Sequence, residues 1–164
     1  MDKIYFTKLL QENIDKRIIP KNKKILITGS NGFIGKYLVY ALANVFHKNN
    51  NKIYGIDINQ NLNKTKNYKY FKKDLTKLKQ NQIPKIKYDY VIHLAGIPSP
   101  VYYKKFPLKT IYLNAELSRE LLEISKKNKS KFIYFSSSEI YGNPTKENIP
   151  TKEIYNGNVS SIGD

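Results

Sequence analysis

The sequence predicts an α/β fold, a parallel sheet covered by helices on both faces. Three observations predict it. Short apolar runs alternate with helical stretches along the chain. One run, "YDYVIHLAG" (88–96), is apolar without alternation, as a strand buried on both faces should be. A glycine-spaced loop, "ITGSNGFIG" (27–35), joins strand-forming residues to a helical stretch.

The elements follow in order. Residues 3–19 have Phe6, Leu10, Ile14 and Ile18 at four-residue spacing, an amphipathic helix that Pro20 stops. "KILIT" (24–28) is the first strand. "GFIGKYLVYALANVFHK" (32–48) is a helix with Ile34, Leu38, Leu42 and Val45 on one face. "NKIYGID" (51–57) is the second strand, "YKYFKKDL" (68–75) contains the third, and 88–96 is the fourth. Residues 107–128 form a helix with Pro107 near its start. "KFIYFSSS" (131–138) is the fifth strand. The lysine- and asparagine-rich stretches 47–52 and 59–67 are surface turns. The expected organisation is a helical extension over 1–22 and one sheet-bearing domain over 23–164.

A chain of 164 residues is long enough to bury about 70% of its unfolded surface in one domain. It has no cysteine and only two distant histidines, His47 and His93, so no metal site is expected. No stretch approaches membrane-spanning length, and the N-terminus lacks a signal-peptide apolar core, so a cytoplasmic protein is the expectation. The formal charge of +16 invites a nucleic-acid reading. Only Arg17 and Arg119 among the 29 basic residues are arginine, and the lysines are dispersed, which points to a solvated surface instead.

Gly29, Gly32 and Gly35 stand three apart in the first strand–helix loop. The first permits a tight turn with positive φ, the second lets a pyrophosphate approach the backbone, and the third lets helix and strand pack closely. Asn31, Phe33 and Ile34 fill the spaces between them, and the helix N-terminus aims its N–H groups at the phosphates. Asp57 ends the next strand, 22 residues past Gly35, where a carboxylate binds the adenosine ribose hydroxyls and repels a 2′-phosphate. The fold is therefore expected to be Rossmann-type and doubly wound, with about five strands and NAD as the cofactor.

The spacing G-x-x-G-x-x-G resembles the extended, nucleotide-sugar branch of the short-chain dehydrogenase/reductases. Asp74-Leu75 matches the pair that holds the adenine in that branch. "HLAGIPSPVYYKKFPLKTIYLN" (93–114) resembles the UDP-glucuronate decarboxylases (UDP-xylose synthases), through Ser99-Pro100, Tyr103, Pro107, Lys109-Thr110 and Asn114. The resemblance implies that Leu94, Ala95 and Gly96 lie beside the cofactor. Asn114 supports the active-site hydrogen-bond network there, and Pro98, Ser99 and Tyr103 face the substrate. His93 reads as a satisfied strand-end histidine. "FSSSEIYGNP" (135–144) matches the family's serine or threonine before Tyr-Gly, making Ser137 the hydroxyl at the sugar's 4-oxygen, with Ser138 and Glu139 beside it. Ser136 is expected to face inward.

The resemblance further implies a UDP-sugar substrate, oxidised at C4, and a homodimeric full-length enzyme. Epimerases and 4,6-dehydratases share that first step. The family also needs a tyrosine followed four residues later by a lysine, on a helix after the fifth strand. Of the 14 tyrosines only Tyr68 has such a lysine, Lys72, and it precedes the end of the third strand. The expectation is an N-terminal portion of a longer enzyme, inactive alone; a NAD-binding module without catalysis is the reading from another class.

Overall fold

A computed structural model of the chain describes residues 3–15, 17–59, 65–77 and 83–160. Residues 60–64 of the 59–67 turn lie outside these residues, as do residues 161–164. The chain divides into two compact units, Met1–Tyr134 and Phe135–Asp164.

The first unit holds five strands, β1 (Lys24–Thr28), β2 (Lys52–Asp57), β3 (Tyr68–Lys72), β4 (Tyr90–His93) and β5 (Lys131–Tyr134). All neighbours are parallel and the order is β3-β2-β1-β4-β5. The order reverses between β1 and β4, the crevice in which open α/β sheets place ligands. β1 explains why the sheet needs helices on both sides. Its alternate residues point to opposite faces, and both faces are apolar. Ile25 and Ile27 pack with Val39, Leu42 and Ile53 on one side. Leu26 packs with Val91, Leu113, Leu117 and Leu121 on the other.

The helices are α1 (Lys3–Asn13), α2 (Phe33–Tyr40), α3 (Pro100–Lys105), α4 (Pro107–Ile111) and α5 (Leu117–Asn128). α2 runs on as a π turn over Ala41–Val45, and a second π turn, Tyr112–Glu116, joins α4 to α5. The single helix expected over 107–128 is thus one continuous rod widened at its middle.

Three expectations are corrected. The first helix ends at Asn13, not at 19, because the Asp15 carboxylate captures the backbone N–H of Arg17 at 2.9 Å, a local bond that competes with helix continuation. Ile18 is accordingly exposed, whereas Phe6 docks α1 on the Tyr37 and Tyr40 rings. α3 was not expected; Ser99 and Pro100, a start signal in their own right, open it. β5 stops at Tyr134 rather than 138, so the serines belong to the second unit.

Candidate functional site

The loop between β1 and α2 is built as its glycines require. Gly29 has φ +69, and a Cβ on it would lie 2.7 Å from Ala95 N, so the loop presses against the end of β4. A Cβ on Gly35 would lie 2.1 Å from the Gly29 carbonyl oxygen, which fixes how tightly helix and loop pack. Gly32 differs. Its backbone has φ −62, and an added Cβ would meet only the Gly29 carbonyl oxygen, at 3.2 Å. The space above Gly32 is therefore open to a ligand. No side chain caps α2, so the first N–H groups of the helix are left facing that space. Phe33 and Ile34 are exposed beside it.

Asp57, largely buried at the end of β2, ties this loop to the next one. Its Oδ2 accepts the Asn31 N–H and its Oδ1 accepts the Asn59 N–H, each at 2.9 Å. A carboxylate has about four acceptor positions, so among the described residues two remain for ribose hydroxyls. A pyrophosphate over Gly32 and a diol at Asp57 suit the residues present, so NAD fits this cradle. Asp74 lies just past β3. Burial alone would raise its carboxyl, but hydrogen bonds from Thr76 (2.7 Å to Oγ1, 3.0 Å to N), with Lys77 and Lys109 nearby, hold it below the usual carboxylate range. Leu75 is a core residue beside Leu26 and Tyr88, which leaves only its backbone for a ligand.

At the crevice, β4 delivers Leu94 and Ala95 to the glycine loop, and Gly96 lies against Asn114, whose Oδ1 is 3.6 Å from where a Gly96 Cβ would stand. Asn114 sits in the π turn, and a buried relay supports that turn. Leu113's carbonyl accepts from His93 Nε2 at 3.0 Å, which makes Nε2 the protonated nitrogen. Nδ1 then accepts from Thr28 Oγ1 at 2.7 Å, and Thr28 Oγ1 lies 3.5 Å from the Ala95 N–H. Burial pushes the His93 pKa down, with the Leu113 bond pulling the other way. His93 is thus a satisfied, neutral linker between β1, β4 and the π turn. The Ser99 carbonyl accepts the N–H groups of Tyr102 and Tyr103 in α3, and Pro98 and Tyr103 are exposed.

In the second unit Ser137 precedes a single helical turn, Ser138–Tyr141, and its Oγ accepts the Glu139 N–H at 3.2 Å. Gly142, with φ +64, bridges to Asn158, whose backbone N–H donates to Tyr141 O at 2.9 Å. Ser137, Ser138 and Glu139 are exposed, and so is Ser136, contrary to the expectation that it faces inward.

Sequence reasoning missed the supports beneath the glycine loop. Tyr68 donates to Ser30 Oγ at 3.1 Å, and both occupy the space that a side chain on Gly55 would fill. A glycine inside a strand marks such a close approach and was the available signal. Tyr68 and Lys72 stand at opposite ends of β3, so this pair cannot act as a tyrosine–lysine couple on a helix face. Among the described residues no group of three or more acidic, histidine or cysteine side chains could hold a metal, and no helix is long and apolar enough to cross a membrane.

Comparison with known proteins agrees with this geometry. Residues 25–160 match the NAD dependent epimerase/dehydratase family. The chain is 38% identical over 140 residues to the bifunctional polymyxin resistance protein ArnA of Wigglesworthia glossinidia brevipalpis, covering 77% of this chain and 21% of that protein. It is 32% identical over 147 residues to UDP-glucuronic acid decarboxylase 1 of Arabidopsis thaliana, covering 88% of this chain and 32% of that one. Among solved structures, UDP-N-acetylglucosamine 4-epimerase of Methanobrevibacter ruminantium, in complex with UDP-N-acetylmuramic acid, superposes with a TM-score of 0.68 at 33% identity, covering 85% of this chain and 45% of that one. The chain spans less than half the length of each of these relatives. With a 3-2-1-4-5 parallel sheet, an open pyrophosphate cradle at its switch point and a family match over most of its length, the chain belongs to the NAD dependent epimerase/dehydratase family, and its cofactor is NAD.

Proposed function

We propose that this chain carries the cofactor-binding part of an enzyme that oxidises a UDP-sugar at C4, with UDP-glucuronate as substrate and decarboxylation as outcome. The observation that carries the reading is the cradle over Gly32 with Asp57 at its rim, set at the β1/β4 switch point. Similarity to a UDP-glucuronic acid decarboxylase and the Ser137-Ser138-Glu139 sequence before Tyr141-Gly142 support the substrate. NAD supplies the hydride acceptor when bound there. Gly29, Gly32 and Gly35 let the pyrophosphate reach the α2 N-terminus, and Asp57 orients the adenosine ribose. Ser137 hydrogen-bonds the sugar's 4-oxygen and stabilises charge developing on it. Glu139 lies toward the C5–C6 end. The enzyme is a homodimer in this reading.

The test has two parts. Calorimetric titration should show tighter binding of NAD than of NADP, and Asp57→Asn should narrow the difference; equal affinities in the unmutated chain overturn the role of Asp57. Incubation with NAD and UDP-glucuronate should give no UDP-xylose, 4-keto sugar or NADH by mass spectrometry and absorbance. General acid–base groups contribute typically ~10²–10⁴-fold, and positioning of the substrate up to ~7–11 kcal/mol more. Turnover by this chain alone would mean that another residue serves as base. One observation favours the second reading, a non-catalytic NAD module: no tyrosine of the chain has its lysine partner on a helix.

A further inference from the structure

We propose that the Tyr70 hydroxyl is a positioning group for the adenosine-ribose site, holding the turn after β2 so that Asp57 presents its carboxylate to the ribose. The proposal rests on the NAD reading above. Tyr70 lies on β3 opposite Gly55 of β2. Its hydroxyl donates to the Asp57 carbonyl at 2.9 Å and also reaches the Asn59 carbonyl, the two ends of the turn. The same turn is closed by the Asn59 N–H on Asp57 Oδ1. From the glycine loop, the Asn31 side-chain amide donates to the Asn59 carbonyl at 3.3 Å and reaches the Tyr70 phenol, while the Asn31 N–H holds Asp57 Oδ2. Glycine loop, strand end and neighbouring strand therefore meet at one hydroxyl.

Packing alone does not call for that hydroxyl, because a phenylalanine ring would fill the same place beside Tyr68. The phenol is also a durable donor. Burial, then the Asp57 charge and Tyr68, push its pKa up to about 12, so it keeps its proton at any working pH. Without it, the turn is held by the Asp57–Asn59 bond and the Asn31 bridge, and the two free acceptor positions of the carboxylate are less well aimed.

The experiment titrates the 164-residue chain and Tyr70→Phe with NAD, ADP-ribose and the NAD analogue lacking the adenosine 2′-hydroxyl. One hydrogen bond's worth of positioning corresponds to roughly three- to tenfold weaker binding of NAD and ADP-ribose by the variant. The 2′-deoxy analogue should distinguish the two proteins less than NAD does, because one of the two hydroxyls that the carboxylate is aimed at is absent. Asn31→Ala, which breaks the bridge from the loop side but keeps the backbone bond, should show the same ligand-dependent pattern and serves should Tyr70→Phe not fold. Equal weakening for all three ligands makes Tyr70 merely structural and overturns the proposal. Unchanged NAD binding by Tyr70→Phe overturns this proposal alone; no NAD binding by the unmutated chain overturns the cofactor reading and this proposal with it.

Discussion

At the scale of single residues, His93 shows how a polar side chain in a motif can be structural yet bear on the site. Both ring nitrogens are used, by Thr28 and by the Leu113 carbonyl, and the residue is 1% exposed. Protonation would charge a buried ring, hence the lowered pKa, with the Leu113 hydrogen bond pulling the other way. The linkage follows from that direction. Below the ordinary value of 6.5, the unfolded chain takes up a proton that the folded chain refuses. Stability therefore rises with pH across the interval between the folded pKa and 6.5, and is lost as pH falls below 6.5. The slope approaches about 1.4 kcal/mol per pH unit at most. Urea midpoints between about pH 7 and pH 5 should show this. His93→Leu should be less stable throughout, by about 1–3 kcal/mol for the unpaired Thr28 and Leu113 groups, but its stability should be flatter over that interval. An identical slope in the variant would show that His93 titrates in the fold.

At the scale of elements, the strand–loop–helix unit separates glycines that the packing requires from Gly32, whose requirement comes from the proposed NAD site. Gly35→Ala drives a methyl against the Gly29 carbonyl oxygen, 2.1 Å away, and has no room to relax without moving the loop. It should cost about 1–3 kcal/mol, as overpacking does, and should lose NAD binding with it. Gly32→Ala has an ordinary φ and one close neighbour, so stability should change by only about 0.5 kcal/mol, while NAD binding should be lost. Thermal melts and titrations of the two variants check this; NAD binding by a folded Gly32→Ala protein would refute the cradle. Most of this unit was legible, because apolar runs, three glycines and Asp57 are all local signals. What was not legible has physical causes. The π turns leave the apolar spacing nearly unchanged, so 107–128 reads as one helix. The Asp15–Arg17 bond that ends α1 competes with a periodicity that continues to Ile18. The Ser30–Tyr68 and Tyr70–Asn59 supports join residues 38 and 11 positions apart, and only the registers of β1 with β2 and of β2 with β3 bring them together.

At the scale of the whole molecule, a charge of +16 works against an apolar surface. β4 is covered on both faces, with Val91, Ile92 and His93 all buried. β5, at the sheet edge, is not. Ile133 and Tyr134 are 41% and 42% exposed, and along the second unit Phe135, Ile140, Ile149, Ile154 and Val159 are exposed as well. An unpaired edge strand with apolar side chains invites association with another chain. Leu108 and Ile111 on α4 add exposed apolar area elsewhere on the first unit. At low salt, repulsion between copies keeps these surfaces apart. The range of that repulsion shrinks from about 10 Å at 0.1 M to about 3 Å at 1 M ionic strength, while apolar association is not weakened by salt. Raising the salt should therefore increase the sedimentation coefficient of the chain, the reverse of what an ionic contact between copies would show. A neutral solvatochromic dye should brighten on the protein at low salt, where an anionic dye would report the lysines instead. Replacing Ile133 by lysine, a charge placed at the edge itself, should suppress both signals without altering NAD binding, since Ile133 lies on β5 and the cofactor cradle on β1, β2 and β4. A chain that sediments as a monomer in 1 M salt and leaves the dye dark would show that the apolar edge is covered in solution.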